Sequence, residues 1–195
     1  VALERGFTDI AWSHLLDPAT GEYNIPYLET LIPHVKAVVV NLFYRELGFV
    51  TAKGNPLRIG TVEDLLRKGI RFVNRQAGSG TRLLLDHHLE KQGISAARIA
   101  GYDQEVFTHI EVGLAILSGG ADTGIATAAV SSLLGLDFVS ITRERFDMIC
   151  DQSIFFQRGI QALVEVLNGE MFRKRVEKLK SYDFSSAGRI LYTKP

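Results

Sequence analysis

Segments with strand character alternate along this chain with segments of helical character, and this alternation constrains the fold more than any other feature. The run from Lys36 to Phe43 is rich in β-branched residues and is typical of a buried strand. The segment from Gly80 to Gln92 is predicted as a helix that Gly93 stops. Repeated alternation of this kind predicts an α/β fold with mostly parallel sheets.

Two stretches are expected to carry the chain between two lobes. Residues 38–52 lead from the first region into the middle one, and residues 137–150 lead back towards the helices at the end of the sequence. Two lobes joined by such strands are the plan of a hinged binding protein that closes around its ligand. The predicted first lobe comprises residues 1–45 and 147–195, the predicted second lobe comprises residues 46–146, and the crossings contain separate strands at 36–43, 47–52, 137–141 and 146–150.

Charge and composition exclude several classes of protein. The 22 basic residues equal the 22 acidic residues, whereas a protein that grips nucleic acid or an anionic membrane presents a broad basic face. A balanced chain can still hold one local anion site. Cys150 is the single cysteine, so no disulfide can form within the chain. No apolar run reaches the roughly 18–20 residues of a membrane span, and the sequence therefore predicts none.

The segment from Asn74 to Arg82 carries the strongest local signal for a binding site. A strand ends there, a turn with Gly78 and Gly80 follows, and a helix begins. The first helical turn has backbone N–H groups without an internal partner, and the helix dipole adds about half a positive charge. Such a turn suits a tetrahedral oxyanion or a carboxylate. Donors and charges in this segment come from Arg75, Ser79, Gly80, Thr81 and Arg82.

A purely structural interpretation of this segment stays open. Ser79 could serve only as an N-cap, with the glycines serving only the turn. The two flanking arginines, Arg75 and Arg82, favour anion binding over this alternative. The segment is not a P-loop, because the lysine and its glycine spacing are absent. It is not a Rossmann fingerprint either, because no third glycine follows at the required position.

Three further places are candidates for ligand contacts. A T-x-x-E capping box begins at Thr108, so that His109 opens a helix with free N–H groups. Thr127 ends a predicted strand, and ligands of such sheets bind beyond the carboxyl ends of strands. Ser13 and His14 end the first strand and could face the ligand. The alternatives are helix capping for the two threonines, a solvated position for His109 and a turn for Ser13 and His14.

Three segments carry a resemblance to a known family. Residues 14–24 (HLLDPATGEYN), 71–82 (RFVNRQAGSGTR) and 120–126 (GADTGIA) resemble the periplasmic-binding-protein-like domain family. That family is found fused to helix-turn-helix regulators and to molybdopterin-biosynthesis proteins. It is similar in turn to the molybdate- and tungstate-binding proteins of transport systems. The likeness spans nearly the whole chain.

The resemblance implies a two-lobed type II binding-protein fold and cytoplasmic sensing of molybdate or tungstate. It implies anion contacts from residues 79–81, from the helix start at His109 and from Thr127. The first strand and helix of the family lie upstream of Val1, so we expect the first lobe to be truncated at its N-terminus. A signal peptide upstream would instead place the domain in the periplasm or outside the cell.

A sensor or receptor for a small anion is therefore the leading functional hypothesis. The expected partner is the anion, with no cofactor, no metal and no membrane contact; DNA enters only through a fused upstream domain, and a homodimer is left open. An enzyme acting on a carboxylate substrate is the alternative, with Asp103, Glu105 and His109 as candidates for acid–base chemistry. A vestigial interaction module on the same fold is the third hypothesis.

Overall fold

The protein is described by a computed structural model that covers residues 2–17, 19–177 and 181–194. The chain forms two compact units. Unit 1 consists of Val1–Arg45 and Glu144–Pro195, and unit 2 consists of Glu46–Arg143. Strands and helices are mixed in both units, which confirms the α/β class predicted from the alternating pattern.

Eight strands and seven α-helices lie within the described residues. The strands are β1 (Ile10–Ser13), β2 (Ala37–Thr51), β3 (Phe72–Arg75), β4 (Glu105–Val106), β5 (Thr123–Thr127), β6 (Asp137–Asp151), β7 (Tyr182–Asp183) and β8 (Ile190–Thr193). The helices are α1 (Leu28–Leu31), α2 (Gly80–Lys91), α3 (His109–Leu117), α4 (Ala128–Leu134), α5 (Gln152–Phe155), α6 (Arg158–Asn168) and α7 (Glu170–Val176). Short 3-10 helices span Ile25–Tyr27, Val62–Leu66 and Ala96–Arg98.

The sheet of unit 2 is buried on both faces. Its strand order is β2-β5-β3-β4. Because successive side chains of a strand point to opposite faces, neighbouring residues enter different cores. On β3, Phe72 packs with Leu85 of α2, whereas Val73 packs with Val112 of α3. Burial on both faces is typical of the central strands of a sheet with parallel pairing.

Unit 1 is built around the first half of β2 and the second half of β6. β1 pairs with β6, and β7 and β8 pair with β2. A fully buried carboxylate, Asp147, accepts hydrogen bonds from Arg145 Nε (2.8 Å), Asn24 Nδ2 (2.8 Å) and Asn41 Nδ2 (3.1 Å). Asn24 Oδ1 in turn accepts the backbone N–H of Leu15 at 2.8 Å. This network fastens the loop after β1 to the core of unit 1.

Each crossing is one long strand where the sequence predicts two. β2 and β6 are each 15 residues long and run from one unit into the other. The predicted breaks fall on charged residues, which here form pairs instead of ending the strand. Arg45 Nε lies 2.6 Å from Glu144 Oε2 in unit 1, and Ser140 Oγ donates to Glu46 Oε2 at 2.6 Å in unit 2. Partners on the other strand thus allow charge in the middle of an otherwise apolar strand.

Fewer strand pairs are parallel than the sequence pattern predicts. β3 pairs in parallel with β4 and with β5, and the crossovers that parallel neighbours require contain α2 and α3. Antiparallel pairing holds between β2 and β5, between β1 and β6, and between β2 and both β7 and β8. Both of these parallel pairings lie in the part of unit 2 that carries the candidate site.

The two ends of the chain differ most from the sequence-based expectation. The sequence predicts that residues 1–6 are the last turns of a helix closed by Gly6, whereas residues 2–6 form turns with Gly6 at φ 66°. It also predicts two amphipathic helices, near 154–167 and 171–179. The first is divided into α5 and α6, and the second ends at Val176, with its last two predicted residues outside the described residues. Among the residues that the structure describes, no helix combines the length and apolarity of a membrane span.

Candidate functional site

Three helices of unit 2 begin directly beyond three neighbouring parallel strands. α2 follows β3, α3 follows β4, and α4 follows β5 without a break. The register pairs Arg75 with Val106 and Val73 with Gly124, so the three carboxyl ends lie at the same edge of the sheet. The unpaired N–H groups of three first helical turns therefore gather at this edge, which we call the carboxyl edge.

The start of α2 is capped by its own chain. Ser79 Oγ accepts the backbone N–H of Arg82 at 3.2 Å, and the Ser79 carbonyl accepts the N–H of Leu83 at 3.0 Å. Gly78 lies at φ 82°, a conformation that favours glycine. The Ser79 hydroxyl thus caps α2, as the purely structural interpretation of this segment predicts. The N–H groups of Gly80 and Thr81 belong to the first helical turn, where no carbonyl of the same helix can accept them, and they lie at the carboxyl edge.

The buried guanidinium of Arg75 joins two of the three helix starts. Arg75 is the last residue of β3 and is 9% exposed. Its Nη2 donates to the carbonyl of Phe107 at 2.8 Å, and its Nε donates to Gln76 Oε1 at 3.2 Å. Phe107 lies just before α3. Arg75 therefore places a positive charge at the carboxyl edge and also holds the loop before α3 against the end of β3.

Arg82 is held by partners within unit 2. Its Nε lies 3.2 Å from Asp86 Oδ1, and its Nη1 lies 3.1 Å from Glu105 Oε1. The guanidinium also sits over the ring of Tyr102, 3.9 Å from the centroid. The same Glu105 oxygen accepts the N–H of Ala77 at 3.1 Å. The charge of Arg82, predicted for the ligand, is thus balanced by carboxylates in this structure.

The predicted capping box at α3 is present. Thr108 Oγ1 accepts the N–H of Glu111 at 3.3 Å, and Glu111 Oε2 accepts the N–H groups of Phe107 and Thr108, each at 2.7 Å. These backbone hydrogen bonds, and to a smaller extent the nearby charge of Arg75, lower the pKa of Glu111. His109 is the first residue of α3, so its N–H belongs to the first helical turn.

Thr127 differs from the other two cap residues. It is the last residue of β5, is 4% exposed, and precedes α4. Its side chain makes no capping hydrogen bond to α4. The capping alternative for Thr127 is therefore not realised, and its hydroxyl stays at the carboxyl edge.

Ser13 and His14 belong to unit 1 and have contacts there. The carbonyl of Ser13 accepts Asn24 Nδ2 at 3.2 Å. His14 stacks on Phe146 with 4.7 Å between ring centroids, and its Nε2 lies 3.6 Å from Glu144 Oε1. Burial lowers the pKa of His14, an effect that the carboxylate of Glu144 opposes.

Sequence reasoning did not include Glu105 and Glu144 in the network around these candidates. Glu105 contacts Arg82 from 23 positions away, and Glu144 contacts Arg45 from 99 positions away. One signal was available for Glu144, because charged residues interrupt both predicted crossing strands. Glu105 was a candidate for acid–base chemistry only, and no local pattern points to its contact with Arg82. Its role depends on the pairing of β4 with β3.

Comparison with known proteins agrees with this architecture. Residues 1–168 match the model of the PBP superfamily domain. Protein YvgK of Bacillus subtilis (strain 168), which is uncharacterized, is 31% identical over 191 residues, and the chain spans 61% of its length. A putative phosphate ABC transporter substrate-binding protein with bound phosphate, from Clostridium perfringens, has a TM-score of 0.61 at 14% identity, over 93% of this chain and 81% of that chain.

A regulatory domain shares the fold as well. The CcmR regulatory domain of Synechocystis PCC6803, solved in complex with 2-PG, has a TM-score of 0.58 at 13% identity, over 84% of this chain and 74% of that chain. At these identities the likeness concerns the fold, which is that of two-lobed periplasmic binding proteins. The match to the family model covers most of the chain. The chain belongs to the PBP superfamily.

Proposed function

We propose that this protein is a small-anion binding domain that acts as a sensor or receptor and binds an oxyanion at the carboxyl edge of unit 2. The observation that carries the proposal is the convergence of three helix starts at one edge of a parallel sheet, with the buried Arg75 at the end of the central strand. Unpaired N–H groups and the positive ends of helix dipoles favour an anion there.

More of the proposed contacts come from the backbone than in the set of residues predicted from the sequence. The N–H groups of Gly80, Thr81 and His109 provide donors that need no side chain, and Thr127 adds a hydroxyl. Arg75 provides long-range charge, although two of its nitrogens donate to Gln76 and Phe107. Backbone donors do not discriminate strongly among tetrahedral oxyanions, because they read charge and size instead of side-chain chemistry.

The choice of anion rests on two kinds of support. Residues 14–24, 71–82 and 120–126 resemble a domain family that is similar in turn to molybdate- and tungstate-binding proteins, which favours those anions. The Clostridium perfringens neighbour holds phosphate and the Synechocystis neighbour is in complex with 2-PG, which favours a phosphate group. Molybdate or tungstate is our first choice, and phosphate is the comparison that a test must include.

A binding role is favoured over the catalytic alternative by the position of Glu105. This carboxylate was one of the groups considered for acid–base chemistry. Its Oε1 is engaged by Arg82 and by the N–H of Ala77. A general base has to reach its proton directly or through one water, whereas in this structure the Glu105 oxygen accepts from two donors of its own chain.

Thermal unfolding in the presence of oxyanions tests the proposed function. A ligand at a hundredfold its dissociation constant raises the free energy of unfolding by about 2.7 kcal/mol. We expect molybdate, tungstate or phosphate at millimolar concentration to raise the melting temperature, with chloride at equal ionic strength as the control. If none of these anions shifts the transition, the oxyanion proposal fails.

A further inference from the structure

The loop that is proposed to bind the anion already contacts an oxyanionic group of the same chain. Glu105 Oε1 accepts the N–H of Ala77 and the Nη1 of Arg82, both at 3.1 Å. Ala77 lies in the loop between β3 and α2, and Arg82 lies in the first turn of α2. A carboxylate oxygen thus occupies one backbone donor and one guanidinium in the same loop and first helical turn as Gly80 and Thr81, whose N–H groups are proposed to bind the anion.

Arg82 is held in place by more contacts than Glu105 is. Arg82 is fixed from other directions by Asp86 and by the ring of Tyr102, and its side chain is 12% exposed. The side chain of Glu105 is 36% exposed and belongs to β4, a strand of only two residues. The donors are therefore preorganised, and the carboxylate is the part that can leave by rotating towards solvent.

We infer that Glu105 is an internal competitor for the ligand, which covers Ala77 and neutralises Arg82 in the empty site and is displaced when an oxyanion binds. This inference rests on the proposed function. An external anion gains the donors only after the charge-assisted contacts of Glu105 are broken, and so the competitor weakens binding. Glu105 thereby sets the affinity of the site.

The experiment compares Glu105→Gln and Glu105→Ala with the parent protein by calorimetric titration of the full chain with phosphate, sulfate and molybdate at an ionic strength of about 0.15 M. Glu105→Gln keeps an acceptor for Ala77 and removes the charge, whereas Glu105→Ala removes both. We expect each variant to bind its best anion about tenfold tighter than the parent does, with the alanine variant at least as tight as the glutamine variant.

Glu90→Gln is the matched control. Glu90 is an exposed carboxylate near the other end of α2, the helix that carries Arg82, so this substitution makes the same change in net charge as Glu105→Gln without touching the loop. We expect it to change affinity by less than about twofold, because exposed distant charges are screened. An equal gain in Glu90→Gln would mean that net charge alone explains the effect, and would overturn the inference.

The remaining outcomes separate this inference from the proposed function. If the parent binds an oxyanion and the Glu105 variants bind no tighter, Glu105 is not a competitor and the proposed function stands. If neither the parent nor either variant binds any of the three anions, the proposed function fails and the inference fails with it. Melting curves in anion-free buffer identify a variant that does not fold, and Glu105→Gln then decides the question alone.

Discussion

The three residues that precede α2, α3 and α4 all carry a hydroxyl group, and they use it differently. Ser79 and Thr108 accept an N–H of their own helix, from Arg82 and Glu111 respectively. Thr127 makes no such bond, although it is almost fully buried. Among these hydroxyls, the Thr127 hydroxyl is the one not committed to its helix. A ligand at the carboxyl edge would therefore meet capped helices and one available hydroxyl.

Removing the Ser79 hydroxyl is expected to lower stability. Ser79→Ala leaves the N–H of Arg82 without its acceptor, and the loss of an N-cap costs about 1 kcal/mol of unfolding free energy. Urea unfolding measures this change. Ser95→Ala is the control, since Ser95 precedes a 3-10 helix without making a side-chain capping bond, and we expect its change to stay within about 0.5 kcal/mol. Equal stability of both variants would contradict the capping role.

His14 is expected to make stability depend on pH. Burial lowers the pKa of His14 in the folded state, so the unfolded chain binds protons first as the pH falls. The free energy of unfolding should then decrease as the pH falls through about 6.5, the usual histidine value, and continue to do so down to the folded-state pKa. Urea unfolding between pH 8 and pH 5 measures the slope.

The control for this pH dependence uses both histidines with a lowered pKa. His14→Gln should flatten the slope, and His88→Gln should leave the contribution of His14 in place, because the pKa of His88 is lowered separately by burial and by His87. An unchanged slope in His14→Gln would show that His14 titrates alike in the folded and unfolded states.

At the scale of elements, the proposed anion binding by unit 2 depends on where its helices begin. α2 has 12 residues and α3 has nine, and both start at the carboxyl edge after a residue in extended conformation. A residue that lacks an N–H can occupy the first position of such a helix without disturbing it. This property allows a single backbone donor to be removed while the fold is kept.

Gly80→Pro is expected to weaken oxyanion binding. Ser79 has φ −73° and ψ 145°, a conformation that suits the residue before proline, so the helix start should persist while the Gly80 N–H is lost. A hydrogen bond to a charged group contributes about 1.5–3 kcal/mol, which is roughly tenfold or more in the dissociation constant. Gly80→Ala keeps the N–H and should bind like the parent in the same titration. Equal affinities of all three proteins would place the anion elsewhere.

The helix starts could be predicted from the sequence because caps and turns are local. The T-x-x-E box at Thr108 and the glycine turn before Gly80 specify their helices within a few residues. The continuity of β2 and β6 could not be predicted, since it depends on pairs such as Arg45 and Glu144 that meet only in the folded chain. For the same reason the sequence suggested Arg82 as a free cation and gave no hint of its contact with Glu105.

At the scale of the whole molecule, one buried carboxylate in unit 1 joins distant parts of the chain. Asp147 accepts from Asn24, 123 positions away, and from Asn41, 106 positions away. Asp147 also forms an ion pair with Arg145, in which the Asp147 side chain is fully buried and the Arg145 side chain is 13% exposed. Contacts with such separation hold together the two chain segments of unit 1.

Asp147→Ala is therefore expected to destabilise unit 1 severely. Removing one partner of a buried ion pair costs about 3–5 kcal/mol, because Arg145 keeps its charge in a buried position. Urea unfolding measures the loss. Glu22→Ala is the control, since Glu22 faces the same guanidinium at 3.7 Å from an exposed position, and such pairs contribute about 0–1 kcal/mol. Similar losses in both variants would show that the Asp147 network is not the main link.

The discontinuity of unit 1 has a consequence for the order in which the protein folds during synthesis. Unit 2 is a single stretch of chain, Glu46–Arg143, so all of its strands leave the ribosome before any of residues 144–195. β1 and the first half of β2 emerge earlier still, but their partners on β6 and β8 come last. The first 45 residues must therefore wait, with apolar segments such as Val38–Val40 unpaired, while unit 2 assembles. A nascent chain that has exposed all residues up to Arg143, but few of those beyond it, would hold a folded unit 2 beside an unfolded N-terminal segment.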